Sequence, residues 1–187
     1  MTWIDPTTIH NPTTGTIAPA SWGDTINDDI NYLSRDRPAC KVYHSVDQVP
    51  SNVNNWSPIA FDAEYFDNVG MHSTTSNNTR ITVPTTGLYF VSAGLGYLSY
   101  SEATIKTTQI ATTWSGNISS PQALRAMHIL PTSTPSVQRY LSVAGVVRLT
   151  AGQYVELQIL TDQTNSGFGS TVIYANNCFL SVVWFGI

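Results

Sequence analysis

The sequence predicts an all-β protein, an antiparallel jelly-roll sandwich preceded by an extended arm and one short helix. From residue 39 onward, short apolar segments of alternating polarity recur, and turn residues separate them at fairly regular intervals. The first 20 residues contain three prolines, and proline at that density excludes a helix there. Apolar residues at helical spacing occur between residues 21 and 34.

The arm, residues 1–20, is the first predicted element. Pro6, Pro12 and Pro19 favour extended backbone over the whole segment. A fully solvated tail does not need apolar side chains, and this arm carries several of them. They are Trp3, Ile4, Ile9 and Ile17. We therefore expect the arm to lie on the surface of a partner.

The helix is predicted over residues 21–34. Ser21 is a good N-cap, Asp24 follows three residues later, and Pro38 prevents the helix from continuing. One face is apolar, formed by Trp22, Ile26, Ile30 and Leu33. This face packs against the sandwich, against copies of itself or against a larger particle, and the residues alone do not decide among the three. Residues 1–37 are thus predicted to be an attachment segment, and residues 38–187 a β-domain.

About nine or ten strands are predicted between residues 39 and 187. Two of them, 64–68 and 71–74, flank a turn at Val69-Gly70, and a long one covers 88–98. Gly94 and Gly96 in that long strand indicate a bulge or close packing. The final strand is predicted to cover residues 178–187.

The charge balance excludes several classes of partner. Charged residues make up 11% of the chain and the net charge is −4, with no basic stripe, so we expect no nucleic-acid partner.

No apolar run approaches the ~20 residues that span a bilayer, so we expect no membrane partner. The first residues lack the pattern of a signal peptide, so we expect synthesis in a cytosol. A weakly charged surface favours permanent assembly with like copies.

The chain shows no motif of an enzyme. Its four histidines lack metal-ligand spacing, and neither a nucleophile elbow nor a phosphate loop occurs. We therefore expect no catalytic residue and no cofactor. Asp62, Glu64 and Asp67 are the densest acidic cluster and weak calcium candidates. A solvated loop or strand edge is the favoured interpretation of these three acids.

The two cysteines are not expected to form a disulfide. If the first and last strands pair antiparallel, Cys40 lies opposite the end of the last strand, whereas Cys178 lies near its start. Both thiols are predicted to be small buried apolar groups.

Three segments in the β-domain resemble the C1q/tumour-necrosis-factor-like jelly roll. They are RITVPTTGLYF at residues 80–90, LTAGQYVEL at 149–157 and FLSVV at 179–183. Gln153 departs from the aspartate that is frequent in this family. The resemblance implies a homotrimer in which three sandwiches share an apolar, aromatic axis. Candidates for that interface are Tyr89, Tyr97, Tyr154, Val182 and Trp184, with packing inside one sandwich as the alternative for each.

The N-terminal segment is similar to the start of bacteriophage and prophage structural proteins. This likeness covers residues 20–33 and 37–43, and residues 66–72, FDNVGMH, add to it. It implies a virion component made in a bacterial cytoplasm. We predict a trimeric capsid decoration protein whose arm and helix bind the major capsid protein or another virion protein. The attachment residues are then the apolar ones of the arm and of the helix stripe.

Two alternative roles stay open at this point. A tail-fibre or tail-tip protein would bind a glycan or protein of the host surface through its distal loops. A secreted C1q-like binding module is the second alternative. The short chain favours decoration, because a tail fibre usually has a long shaft.

Overall fold

The computed structural model describes the backbone of residues 23, 24, 26–28, 30, 31, 37–49, 56–99, 106–114, 124–130, 137–161 and 172–186. The chain forms two compact units, Met1–Arg37 and Pro38–Ile187. In the first unit the described residues from 23 to 31 are helical, as the apolar spacing predicts.

The described residues of the second unit form ten strands. They are β1 (Ala39–Tyr43), β2 (Ser57–Pro58), β3 (Ala63–Asp67), β4 (Arg80–Thr82), β5 (Gly87–Ser99), β6 (Lys106–Trp114), β7 (Arg125–Leu130), β8 (Val137–Leu149), β9 (Tyr154–Thr161) and β10 (Val172–Gly186). Their β-branched and aromatic residues suit a pleated, half-buried surface.

The strands form two antiparallel sheets. The first has the order β3-β1-β10-β5-β8, and the second β2-β9-β6-β7, with β4 also paired to β9. The predicted all-β jelly-roll sandwich is therefore confirmed. The first and last strands are neighbours, with Ala39 opposite Val183 and Tyr43 opposite Phe179.

Alternation along the strands places the core between the sheets. In β5 the side chains of Tyr89, Val91 and Ala93 are buried, whereas Phe90 between them is exposed. In β9, Val155, Leu157 and Ile159 point inward in the same way. Other fully buried members of the core are Val42, Ile59, Phe61, Ile81, Val83, Ile173 and Leu180.

One predicted strand is wrong. Residues 71–74 form a loop, although Met71 is buried and its carbonyl accepts a bond from the Thr82 amide at 2.8 Å. The Asp67 carboxylate accepts a hydrogen bond from the His72 amide at 2.8 Å, and Gly70 has a positive φ of 73°. These local bonds replace the ladder bonds of a strand.

Gly94 and Gly96 lie in unbroken β5 and allow close packing, whereas a bulge occurs in β10. The pairing of β10 with β5 shifts between Ile173 and Cys178, and Asn176 in that bulge has a φ of 60°.

Different parts of the chain lie at the two ends of the sandwich. The chain enters the sheet at Pro38 and leaves it at Gly186, so both lie at one end, which we call the basal end. The strands that flank the connections 100–105, 131–136 and 162–171 all meet at the opposite, apical end. The segment 44–49, which follows β1, also lies there.

Candidate functional site: the aromatic face of the first sheet

The outward face of the first sheet carries several exposed, large apolar side chains. Inward and outward positions alternate along each strand, so the strand register shows which side chains lie on this outward surface. We call this surface the aromatic face. It comprises Lys41, Tyr43, Tyr65, Phe66, Leu88, Phe90, Ser92, Tyr140, Ser142, Ala144, Val146, Arg148, Phe179, Ser181, Val183 and Phe185.

The centre of the aromatic face is an apolar row across three strands. Val183 pairs with Phe90, and Phe90 pairs with Val146, so the three side chains lie side by side. The next row toward the apical end, Ser181, Ser92 and Ala144, is small. Small side chains therefore lie beside large ones on this face.

A cation lies among aromatic rings on one side of this face. The pairing of β1 with β3 shifts between Lys41 and Val42, and Tyr65 and Phe66 are both exposed in this stretch of β3. The Nζ atom of Lys41 lies 4.9 Å from the ring centre of Tyr65 and 5.0 Å from that of Phe179. Tyr43 and Tyr65 also contact each other, with ring centres 4.5 Å apart.

Two rings of the aromatic face occupy the space that a side chain would take at a glycine. A Cβ atom on Gly94 would lie 2.5 Å from the Phe179 ring. One on Gly96 would lie 2.8 Å from the Tyr140 ring. Glycine at these positions therefore lets the rings pack directly on the backbone of β5.

Few charges interrupt the aromatic face, and large apolar groups on it are uncovered. Phe185 is 67% exposed and Tyr140 62%, and Phe66, Phe90 and Val146 are exposed as well. Isolated exposed apolar residues are common on proteins, but a contiguous set of this size marks an interaction surface. The arrangement offers binding through apolar contact.

The interface candidates from the sequence lie elsewhere. Tyr89, Tyr97, Val182 and Trp184 are buried inside the single sandwich. The Tyr89 hydroxyl donates to the Thr85 carbonyl at 2.6 Å, which ties that side chain to its own chain. Side chains in this position cannot contact a partner, so these four stabilise the single sandwich.

Tyr154 lies on the second sheet. It points away from the core, with the Arg80 guanidinium 4.7 Å from its ring centre. The structure therefore does not bring Tyr154 onto one surface with the other four candidates.

The three acidic calcium candidates are engaged separately. Asp62 accepts bonds from the amide and the hydroxyl of Ser45, each at 2.7 Å. Glu64 lies 2.9 Å from the Nδ1 atom of His72. The Asp67 carboxylate receives its bonds from the loop that follows β3. Among the described residues, no group of three His, Cys, Asp or Glu side chains is placed to hold a metal ion.

Hydrogen bonding determines the ionisation of Asp62. Desolvation raises the pKa of this carboxyl, but the two bonds from Ser45 outweigh that effect and hold the pKa below its ordinary value.

Only two predicted attachment residues fall within the described part of the chain. Ile26 is half-buried and Ile30 is 55% exposed. Asp24, Asn27 and Asp28 of the same helix are exposed and polar. The remaining attachment candidates, Trp3, Ile4, Ile9, Ile17, Trp22 and Leu33, lie outside the described residues.

Both cysteines are free and buried, as predicted. Cys40 pairs with Val182, four residues along β10 from Cys178, which corresponds to about 13 Å. This distance exceeds the reach of a disulfide. Burial raises the pKa of both thiols and keeps them protonated.

Comparison with solved structures identifies the architecture. The globular domain of the zebrafish complement 1qA protein superposes with a TM-score of 0.54. The chain has the fold of the C1q globular domain. The match covers 81% of this chain and 99% of the other, and 13% of the aligned residues are identical. At that identity the likeness concerns the fold alone. No family model matches the chain, and no curated protein does either.

The described residues form no helix that is long and apolar enough to cross a membrane.

Sequence reasoning missed the residues of the aromatic face itself. The signal was present in the pair Tyr89-Phe90, because adjacent strand residues point to opposite faces. Two adjacent aromatic residues in a strand therefore place one aromatic side chain on each face of the sheet.

Proposed function

We propose that this chain is a homotrimeric structural protein of a bacteriophage particle, a capsid decoration protein that residues 1–37 anchor. The role is structural and not enzymatic. The observation that carries the assembly part is the aromatic face. The sequence likeness of residues 20–33, 37–43 and 66–72 to phage structural proteins supports the particle part.

A second and third copy of the chain are the occupants that fit the aromatic face. The face belongs to a sheet with three long strands and two short ones, which corresponds to an area on the order of 700 Å². Around a threefold axis this area is divided between two neighbours, so each pairwise contact is smaller than the about 800 Å² that a standard interface buries on each partner. Phe90, Tyr140 and Phe185 supply the aromatic contact area that interfaces favour.

The small row through Ser181, Ser92 and Ala144 lets neighbouring sheets approach closely. The two rings that lie against the Lys41 ammonium lower the cost of burying this side chain in the trimer.

Anchoring is assigned to the N-terminal unit. Its helix has an exposed polar side and an apolar stripe in which Ile30 is uncovered. A helix of this length is marginal in water without a packing partner. A surface of the particle, formed by the major capsid protein or another virion protein, is the partner we propose.

Binding to particles tests the anchoring directly. Purified protein is mixed with parent particles that lack it, and the bound fraction is measured by sedimentation. We expect Ile30→Ser to weaken binding, whereas Asn27→Ser, an exposed polar position on the same helix, binds as the wild type does. Deleting residues 1–37 abolishes binding and leaves the trimer intact. Equal binding by the truncated protein would contradict the anchoring role.

The placement of the connections favours one alternative role, that of a tail-fibre or tail-tip protein. The strands flanking 100–105, 131–136 and 162–171 meet at the end opposite Pro38. The segments 131–136 and 162–171 are rich in Ser and Thr, and the second also contains Asn and Gly. Such residues provide adaptable hydrogen bonding to a host glycan or protein. Binding of the truncated trimer to host cells, but not to particles lacking it, would favour this alternative.

A further inference from the structure

His44 is a buried histidine whose ring has no hydrogen-bond partner among the described residues. It follows β1, and like Cys40 and Val42 it points inward. Its exposed fraction is only 4%, and neither Nδ1 nor Nε2 reaches a partner among the described residues. Buried polar atoms nearly always have partners, so this exception calls for a physical account.

The surroundings of His44 attract a proton although its burial opposes one. Asp62 and Asp47 are the described charged groups that act on the ring, and both favour its protonated form. The Ala60 carbonyl acts in the same direction without reaching hydrogen-bond geometry. Both carboxylates already accept bonds elsewhere, Asp62 from Ser45 and Asp47 from the Ala175 amide at 2.8 Å.

His44 also belongs to a segment that several hydrogen bonds join to β10 at the apical end. Its carbonyl accepts a bond from the Asn176 amide at 2.7 Å. Gln48 and Ile173 exchange two backbone bonds, of 2.9 and 2.8 Å. Together with the bond between Asp47 and Ala175, these bonds hold the segment 44–48 against the bulge of β10. We call this set of bonds the apical latch.

We propose that His44 is an acid-sensitive switch, in which uptake of one proton by its imidazole opens the apical latch. A buried imidazolium needs an acceptor, and the nearest carboxylates are both held by the latch and its neighbour Ser45. The charged ring therefore either moves toward water or takes the Asp47 carboxylate from the Ala175 amide. The first movement pulls the segment 44–48 away from β10, and the second breaks one of the bonds that hold it there.

The direction of the effect follows from proton linkage. Burial lowers the pKa of His44 below 6.5, the value of an exposed imidazole. The open latch exposes the ring, so the open form binds the proton more tightly than the closed form does. The closed latch is therefore stable at neutral pH, and its stability declines as the pH falls below 6.5. Between the pKa of the closed form and 6.5, the equilibrium constant for opening increases by up to about tenfold for each unit by which the pH falls.

Hydrogen exchange at individual amides tests the switch. Exchange of the Ala175 and Asn176 amides is followed between pH 7.5 and 5, after correction for the pH dependence of chemical exchange. The Trp184 amide, which donates to the Pro38 carbonyl at 2.8 Å, reports on the basal end of the same molecule. We expect apical protection to decrease up to about tenfold per unit below pH 6.5, with basal protection unchanged.

Three variants make the result specific. His44→Leu removes the titrating group and keeps an apolar side chain in its place, and His44→Gln provides a neutral polar replacement if the leucine variant does not fold. His10→Gln removes a histidine of the arm and serves as the control.

The loss of apical protection at low pH is expected in the wild type and in His10→Gln but not in the His44 variants. The proposal is overturned if a His44 variant keeps the wild-type pH dependence. A wild type without acid-dependent loss, or with equal loss at both ends, overturns it as well.

Discussion

Replacing Gly94 by alanine tests the packing from which the aromatic face is built. The new Cβ would lie 2.5 Å from Cε1 and 3.1 Å from Cζ of the Phe179 ring. Carbon atoms in contact normally lie about 3.5–4.0 Å apart, so the ring has to move by about 1 Å. Phe179 also contacts the Lys41 ammonium at 5.0 Å, so that contact is disturbed too. Overpacking of this kind costs about 1–3 kcal/mol of unfolding free energy.

Urea unfolding followed by tryptophan fluorescence measures the loss. With a slope of about 1–3 kcal/mol per molar urea, the midpoint is expected to fall by roughly 1 M. Wild type and variant are compared at one protein concentration, because assembly makes apparent stability depend on concentration.

Two further variants separate the clash from other effects. Ser92→Ala, at the neighbouring outward position of β5, changes stability by no more than about 0.5 kcal/mol. Phe179→Leu shortens the side chain that obstructs the new methyl group, so Gly94→Ala costs less in that background. The reasoning is refuted if Gly94→Ala matches the wild type, or if its cost is the same in both backgrounds.

Three other substitutions or reagents probe single contacts. Tyr89→Phe deletes a buried hydrogen bond and lowers the unfolding free energy by about 0.5–1.5 kcal/mol in a thermal melt, and an unchanged midpoint would count against that bond. Ser45→Ala removes the hydroxyl bond, one of the two bonds from residue 45 that depress the pKa of Asp62, and keeps the amide bond. The destabilisation that this variant causes is present above the unfolded-state pKa of 3.8 and disappears as the pH falls through the lower folded value. A pH-independent loss would exclude this linkage. Cys40 and Cys178 react with a thiol reagent at pH 8 only after unfolding in urea, and rapid reaction of the folded protein would show that they are accessible.

The sandwich was predictable because its signals are local. Alternating polarity, together with turn residues such as those at 84–87 and 150–152, gives most strands to within a few residues. The antiparallel pairing of the first and last strands also places Cys40 and Cys178 apart, and the register confirms it.

Which residues form the exposed face was not predictable in the same way. Register is specified where one face of a strand is apolar and the other polar, and β5 carries large apolar groups on both faces. Tyr89 and Phe90 differ by one position, and only the pairing with β10 and β8 decides which of them points outward.

Local side-chain bonds explain the other difference. The loop at 71–74 has the composition of a strand, but the Asp67 carboxylate takes the amide bonds that a neighbouring strand would have received. The bonds of the apical latch similarly join residues more than 120 positions apart, and no local pattern indicates them.

The molar mass of the protein in solution tests the central claim, that the aromatic face joins three copies. Light scattering coupled to size exclusion is expected to give three times 20.4 kDa, about 61 kDa, at micromolar concentration. Val146→Asp places a charge on the face and is expected to give the mass of one chain, with an unchanged β-sheet circular dichroism spectrum. Val46→Asp makes the same change at an equally exposed valine outside the face and keeps the trimer. A wild-type monomer, or a Val146→Asp protein that remains trimeric, would contradict the account.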